Sequence, residues 1–207
     1  MKREDKNKLC REKIINGALE EFAVKSYAEA SMNSVAERGG ISKGIIYHYF
    51  KNKDELYLAC LKICFDSLAE KIRRECGEEG DYDERMARYM NCRNNFFSSD
   101  SRFYNLFYFG VLEPPEHLKD RVDEIKKPLD ESNKKVISDF LKSTEIKDNV
   151  SIEEALEYCT VFQQAMDTCM RQKLKDGEDI SDVVREREGK LLKMMRFMMY
   201  GIVEEDR

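Results

Sequence analysis

The stretch SKGIIYHYFKNKDEL, residues 42–56, gathers the side chains best suited to binding chemistry. Tyr47, His48, Tyr49 and Phe50 follow one another, with Lys43 before them and Lys51 and Lys53 after. Phenol hydroxyls donate to phosphate oxygens, and a lysine reaches guanine O6 or N7 in a major groove. On a helix, Tyr47 and Tyr49 stand about 200° apart and point to opposite flanks. With that helix in a groove, both flanks face sugar-phosphate walls. Gly44 admits a close backbone approach, and Ile45 can pack on a thymine methyl. Ser42, or the backbone N–H groups after it, can hold a phosphate. Ser31 and Lys53 are placed for further phosphate contacts, and His48 is either another or a solvated spacer. Phe50 is expected to turn inward and lock the helix to its neighbours.

Catalytic chemistry has little to work with. The chain holds two histidines, at 48 and 117, and no GxSxG or phosphate-cradling glycine loop. Seven cysteines (10, 60, 64, 76, 92, 159 and 169) form an odd set without a CxxC pair. They read as reduced thiols, with Cys60 and Cys64 as small buried side chains on one helix face. No enzyme, metal or cofactor is expected.

The 207 residues are 42% hydrophobic and 37% charged, with three prolines and ten glycines, a composition that leans to an all-α protein. No apolar run is long enough to span a bilayer, and MKREDKNKLCREK lacks a signal core, so no membrane partner and a cytoplasmic location are expected. The net charge of −5 conceals an asymmetry. Residues 1–53 carry eight lysines and three arginines against seven acidic residues, so the acidic excess lies entirely in the remainder. A small basic module facing a polyanion fits that distribution.

The elements that must position the aromatic stretch follow from periodicity and caps. Ile14, Ile15, Ala18, Leu19, Phe22 and Ala23 predict a helix over 9–26. Ser31 caps a short second helix that buries Val35 and Ala36 and stops at Gly39-Gly40. Ser42 caps a third over 43–49, and Asn52 with Glu55 starts a fourth that ends near Cys76-Gly77. Beyond it, Phe103–Leu112, a segment over 116–142 that Pro128 should kink or divide, and capped helices from Ser151 and near Ser181 bring the count to about nine.

The tract IINGALEEFAVKSYAEASMNSVAERGGISKGIIYHYFKNKDELYLACL, residues 14–61, resembles the DNA-binding domain of the TetR family of bacterial transcriptional regulators. K-x-Y, a short helix opening S-M, a glycine turn, S-K-G-x-x-Y-x-Y-F and K-x-K-x-x-L appear in family order. Gly17 and Gly39 stand where alanines are more usual, a departure expected to loosen two helices slightly. The resemblance implies an all-α chain with a three-helix helix-turn-helix domain at 1–53 and a helical ligand-binding and dimerisation domain at 54–207. It implies a homodimer, a repressor more than an activator, on palindromic double-stranded DNA, released by a small, mostly apolar effector.

The second half carries the features that such a domain needs. Phe96, Phe97, Phe103, Tyr104, Phe107, Tyr108 and Phe109 put seven rings into fourteen residues, to fill a core or line a cavity. Phe96, Phe103, Tyr104, Phe107, Tyr108, Phe162, Gln163 and Asp167 are the pocket candidates, Gln163 and Asp167 needing polar partners either from a ligand or across a dimer interface. The apolar stripes of the last two helices offer Leu156, Cys159, Met166, Met170, Leu191, Met195, Met198 and Met199 as dimer contacts. Control by a protein partner, or by oxidation of Cys60, Cys64 or Cys76, is the alternative to a small effector.

Overall fold

The structure is a computed structural model that describes residues 3–143, 146 and 149–202. Among these residues it is all helical, with nine α-helices and one 3₁₀ turn. They run α1 (Arg3–Phe22), α2 (Met32–Gly39), α3 (Lys43–Tyr49), α4 (Lys53–Glu75), α5 (Tyr82–Ser99) and α6 (Ser101–Leu112). The 3₁₀ turn Glu116–Leu118 leads into α7 (Lys119–Lys142), followed by α8 (Ile152–Lys175) and α9 (Ile180–Ile202). The first helix starts and stops earlier than its apolar pattern implies, because Lys, Arg and Glu at its exposed start sustain a helix without a periodic face.

The caps expected at Ser31, Ser42, Asn52 and Ser151 are present, whereas α9 begins at Ile180, ahead of the expected cap at Ser181. Ser31 Oγ accepts from Ser34 N–H, and Ser42 Oγ from Ile45 N–H. Asn52 accepts from Glu55 N–H at 2.9 Å, while Glu55 reaches back to Lys51 N–H. Ser151 and Glu154 form a full capping box. The stop of α2 belongs to Gly40 alone, with φ 59°, where its N–H closes on Ala36 and Glu37 carbonyls. Pro128 does not divide α7, which runs from Lys119 to Lys142 with the proline inside it and without that residue's backbone donor.

The chain forms two compact units, residues 1–68 with 96–128 and residues 69–95 with 129–207. The first takes in more than the expected head at 1–53. Asn105 of α6 donates to the Ala23 carbonyl at 2.7 Å, and Arg102 reaches Asn16. Its core is Ile14, Ala18 and Phe22 of α1, Val35, Ile46, then Leu56, Tyr57, Leu61, Phe65 and Leu68 of α4, with Leu106 and Leu112 of α6. In the second unit, Phe140, Leu141 and Ala155 are buried against Ile137, Ile152 and Leu156.

Gly17 has a packing role. A Cβ there would lie 2.7 Å from the Gly39 nitrogen and the Val35 carbonyl oxygen, so α1 and α2 touch backbone to backbone. Only glycine permits that approach.

Candidate nucleic-acid interface

The third helix is short, and two side chains hold it down. Ile46 is fully buried, and Phe50, at the C-cap, is buried as expected with the Arg11 guanidinium 5.5 Å above its ring. Everything between them on the other side faces out. Ser42, Lys43, Gly44, Ile45, Tyr47 and His48 are exposed, Ile45 at 39% and Tyr47 at 46%. Lys43 Nζ stands 5.9 Å from the Tyr47 ring centroid, a cation–π pair that gathers positive charge over an aromatic face. A Cβ on Gly44 would meet nothing within 4 Å, so the fold itself does not require glycine there.

Three other predicted contacts have partners inside the chain. The Tyr49 hydroxyl donates to Asn7 Oδ1 at 3.2 Å, and the ring sits edge-on to His48. Ser31 caps α2 with its hydroxyl 2.9 Å from that of Ser34. Lys53 Nζ donates to the carbonyls of Tyr27 (2.7 Å) and Ala30 (3.1 Å) and lies 4.1 Å from the Tyr27 ring centroid. One of its three N–H donors remains for a phosphate.

Two polar clusters in the first unit were not legible in the sequence. Glu21 is fully buried; its Oε1 takes Lys25 Nζ at 3.0 Å and Ser31 N–H at 3.3 Å, its Oε2 Arg38 Nε at 2.8 Å. Burial opposes the charge, but these hydrogen bonds outweigh it and hold the carboxyl below its usual range. Tyr27 donates its hydroxyl to Asp54, which also meets His117 Nε2 at 3.4 Å. The Tyr27 hydrogen bond leads in holding the Asp54 carboxyl low, against partial burial and with help from His117. The K-x-Y motif thus closes the turn before α2 onto the start of α4.

The predicted pocket residues fall in two places. In the first unit, Phe96 stacks on Phe103 at 5.3 Å, and Phe107, Tyr104 and Tyr108 pack edge to face, with Tyr108 fully buried. Phe96 and Phe107 are buried as well, while Phe103 and Tyr104 are half-buried. In the second unit, Phe162 and Gln163 are half-buried, and Asp167 meets buried Arg187 of α9, whose Nε and Nη2 both lie 2.9 Å from its Oδ1. The polar partner that Asp167 requires is therefore within the chain. A narrow cleft in this unit is lined by Arg85, Met86, Tyr89, Val136, Ile137, Phe140 and Met195. No predicted pocket residue lines it.

Of the expected dimer contacts, Met166, Met170 and Leu191 are buried in the chain's own core, Leu156, Cys159, Met195 and Met198 are half-buried, and the Met199 side chain lies outside the described residues. Among the described residues, the large apolar side chains that α8 and α9 expose are Tyr158, Val161 and Phe197, the last at 77%. Period alone does not tell which of two apolar faces turns inward. No described helix is long and apolar enough to cross a membrane.

A short helix anchored by two side chains, capped by Ser42 and following a glycine turn, has the form of the second helix of a helix-turn-helix unit. The comparisons point to DNA-binding regulators. Residues 14–60 match the family described as bacterial regulatory proteins, tetR family. The transcriptional activator FasR of Mycolicibacterium smegmatis is 32% identical over 106 residues, covering 50% of this chain and 48% of that protein. The fatty acid metabolism regulator protein of Bacillus subtilis is 22% identical over 69% of this chain and 73% of its own. The negative regulator IcaR of the icaADBC biofilm operon of Staphylococcus epidermidis is 26% identical over 64% and 68%.

Solved structures share the fold. A regulator from Cytophaga hutchinsonii matches with a TM-score of 0.70 at 20% identity, over 93% of this chain and 98% of that one. FadR from Bacillus subtilis, in complex with stearoyl-CoA, matches with a TM-score of 0.63 at 19% identity, over 88% and 97%. Residues 14–60 thus carry the family's N-terminal region, and over the rest of the chain the likeness to these structures is one of fold.

Proposed function

We propose that the chain is a cytoplasmic, homodimeric repressor, not an enzyme, whose two α3 helices read a palindromic duplex and which a small, mostly apolar effector releases. Residues 1–53 are the reading head, and 54–207 bind the ligand and form the dimer. The observation that carries this reading is the outward face of α3, where Lys43, Gly44, Ile45, Tyr47 and His48 stand exposed over the buried anchors Ile46 and Phe50. Lys43 contacts a base edge, Ile45 a thymine methyl, and Tyr47, Tyr49 and His48 the phosphates, with Ser31, Ser42 and Lys53 at the rim. A dimer sets two such faces ~34–36 Å apart, one turn of DNA, or a multiple of it.

Exposed Tyr158, Val161 and Phe197 support a dimer built on α8 and α9, beside half-buried Met195 and Met198. Support for a repressor comes from the Staphylococcus negative regulators, which match over more of this chain than the activator does. Support for a lipophilic effector comes from the Bacillus subtilis relative bound to stearoyl-CoA. An effector acts by binding the released state more tightly. α4, unbroken from Lys53 to Glu75, carries that preference to the head. Thiol control has less support, because burial pushes up the thiols of Cys60, Cys76, Cys92 and Cys159, that of Cys92 to about 12.

Selection from a random duplex pool at two salt concentrations tests the reading. A palindromic motif, bound by two chains and weakening steeply with salt, is the expected result. An unenriched pool would overturn it.

A further inference from the structure

The cleft of the second unit has one feature that an ordinary apolar groove lacks. Met86, Tyr89, Ile137, Phe140 and Met195 wall it, and Arg85 stands among them with 6% of its surface exposed. One Arg85 amino group donates to Ser143 Oγ at 2.7 Å, and the guanidinium carbon lies 5.5 Å from the Phe140 ring centroid. Ser143 is fixed in turn by donating to the Phe140 carbonyl at 2.8 Å. No carboxylate among the described residues pairs with Arg85. Arg187, equally buried, has Asp167 at 2.9 Å.

A guanidinium offers five N–H donors in a fixed fork. A hydroxyl and a ring face compensate a buried positive charge only in part, and an unpaired buried charge is costly. Among the described residues no group supplies that counter-charge, and the cleft that Arg85 lines is where one can enter. A cation would be repelled and a neutral amphiphile would leave the charge uncompensated, whereas a carboxylate can accept two parallel N–H bonds from the fork.

We propose that this cleft is a binding site for a lipophilic monoanion of the acyl or aryl carboxylate class. Its carboxylate meets Arg85, and its apolar body lies between Met86, Ile137, Phe140 and Met195. The inference deepens the effector reading above and rests on it for any consequence at DNA, though not for binding itself. It differs from what an acyl thioester requires, because a thioester brings no charge to the acyl end. The slot is narrow, so a body that enters it parts α5 from α7, which makes binding a change of shape.

Calorimetric titration of the full chain with decanoate, decanol, decylamine and decanoyl-CoA below their micellar concentrations tests this. Decanoate is expected to bind about tenfold or more tighter than decanol, the value of a hydrogen bond to a charged group. Arg85→Met should erase that preference while keeping decanol binding, and Arg85→Lys should retain it in part. Ile137→Trp, which fills the slot, should remove binding of every probe. Circular-dichroism melts check the fold of each variant, and if Arg85→Met does not fold, Arg85→Lys and Ile137→Trp decide.

Equal affinity for decanoate and decanol overturns the inference. So does a preference for decylamine or decanoyl-CoA, a decanoate preference that survives Arg85→Met, or no binding of any probe. A chain that retains selected DNA yet ignores decanoate refutes this site and leaves the DNA reading intact. The reverse pattern refutes the DNA reading and leaves the site.

Discussion

Replacing Glu21 with glutamine removes the charge at the centre of the reading head while keeping its shape. Three donors converge on that carboxylate: Lys25 at 3.0 Å, Arg38 at 2.8 Å and Ser31 N–H at 3.3 Å. Hydrogen bonds to a charged group are worth about 1.5–3 kcal/mol each. Lys25 and Arg38 are more than a third exposed and rehydrate when released, which takes the low end for each. The amide still accepts one bond. A net loss of about 2–3 kcal/mol follows, or roughly 5–10 °C in melting temperature for a chain of this length.

The loss depends on pH in a fixed direction. The Glu21 carboxyl is held below its usual range in the fold, so its contribution is complete above the unfolded value of about 4.3 and fades as pH falls through the folded one. Urea denaturation followed by circular dichroism should therefore show wild type and Glu21→Gln far apart near neutrality and converging below about pH 4. A difference under about 0.5 kcal/mol near neutrality, within the range of an ordinary surface substitution, would refute the bridge. So would a gap that does not narrow in acid.

Gly17→Ala should destabilise by about 1–3 kcal/mol, since its methyl group meets backbone that cannot move away, and chemical denaturation reads it directly. Tyr47→Ala should leave the melting temperature unchanged, because the ring is exposed, and weaken DNA binding in an anisotropy titration. Phe197→Asp should raise the dimer dissociation constant at least tenfold by sedimentation, as burying a phenylalanine contributes about 1.5–3 kcal/mol.

The reading head was legible because its signals are local. Ser31, Ser42 and Asn52 cap helices whose first turns follow at once, and Ile46 and Phe50 bury because they lie one turn apart. Glu21 and Asp54 were hidden because their partners lie 10 and 63 residues away, at Ser31 and His117. The packing role of Gly17 was hidden for the same reason: only the approach of α2 shows what its missing Cβ permits. In the second half, apolar stripes marked α8 and α9 but not their orientation. Met166 and Met170 turned inward, and Val161 and Phe197 outward. The aromatic run at 96–109 left core and cavity open, because ring content does not tell a ring packed on other rings from one facing a ligand; here the rings pack on one another. Arg85, the residue that distinguishes the cleft described, looked like one more surface charge.

The most direct test of the central claim is parallel selection from one random duplex pool with wild type and Lys43→Ala. The α3 reading requires the same palindrome from both, with one base position in each half-site relaxed in the variant by about 1–3 kcal/mol of lost discrimination. Identical motifs at identical affinity would show that the exposed face of α3 does not read DNA.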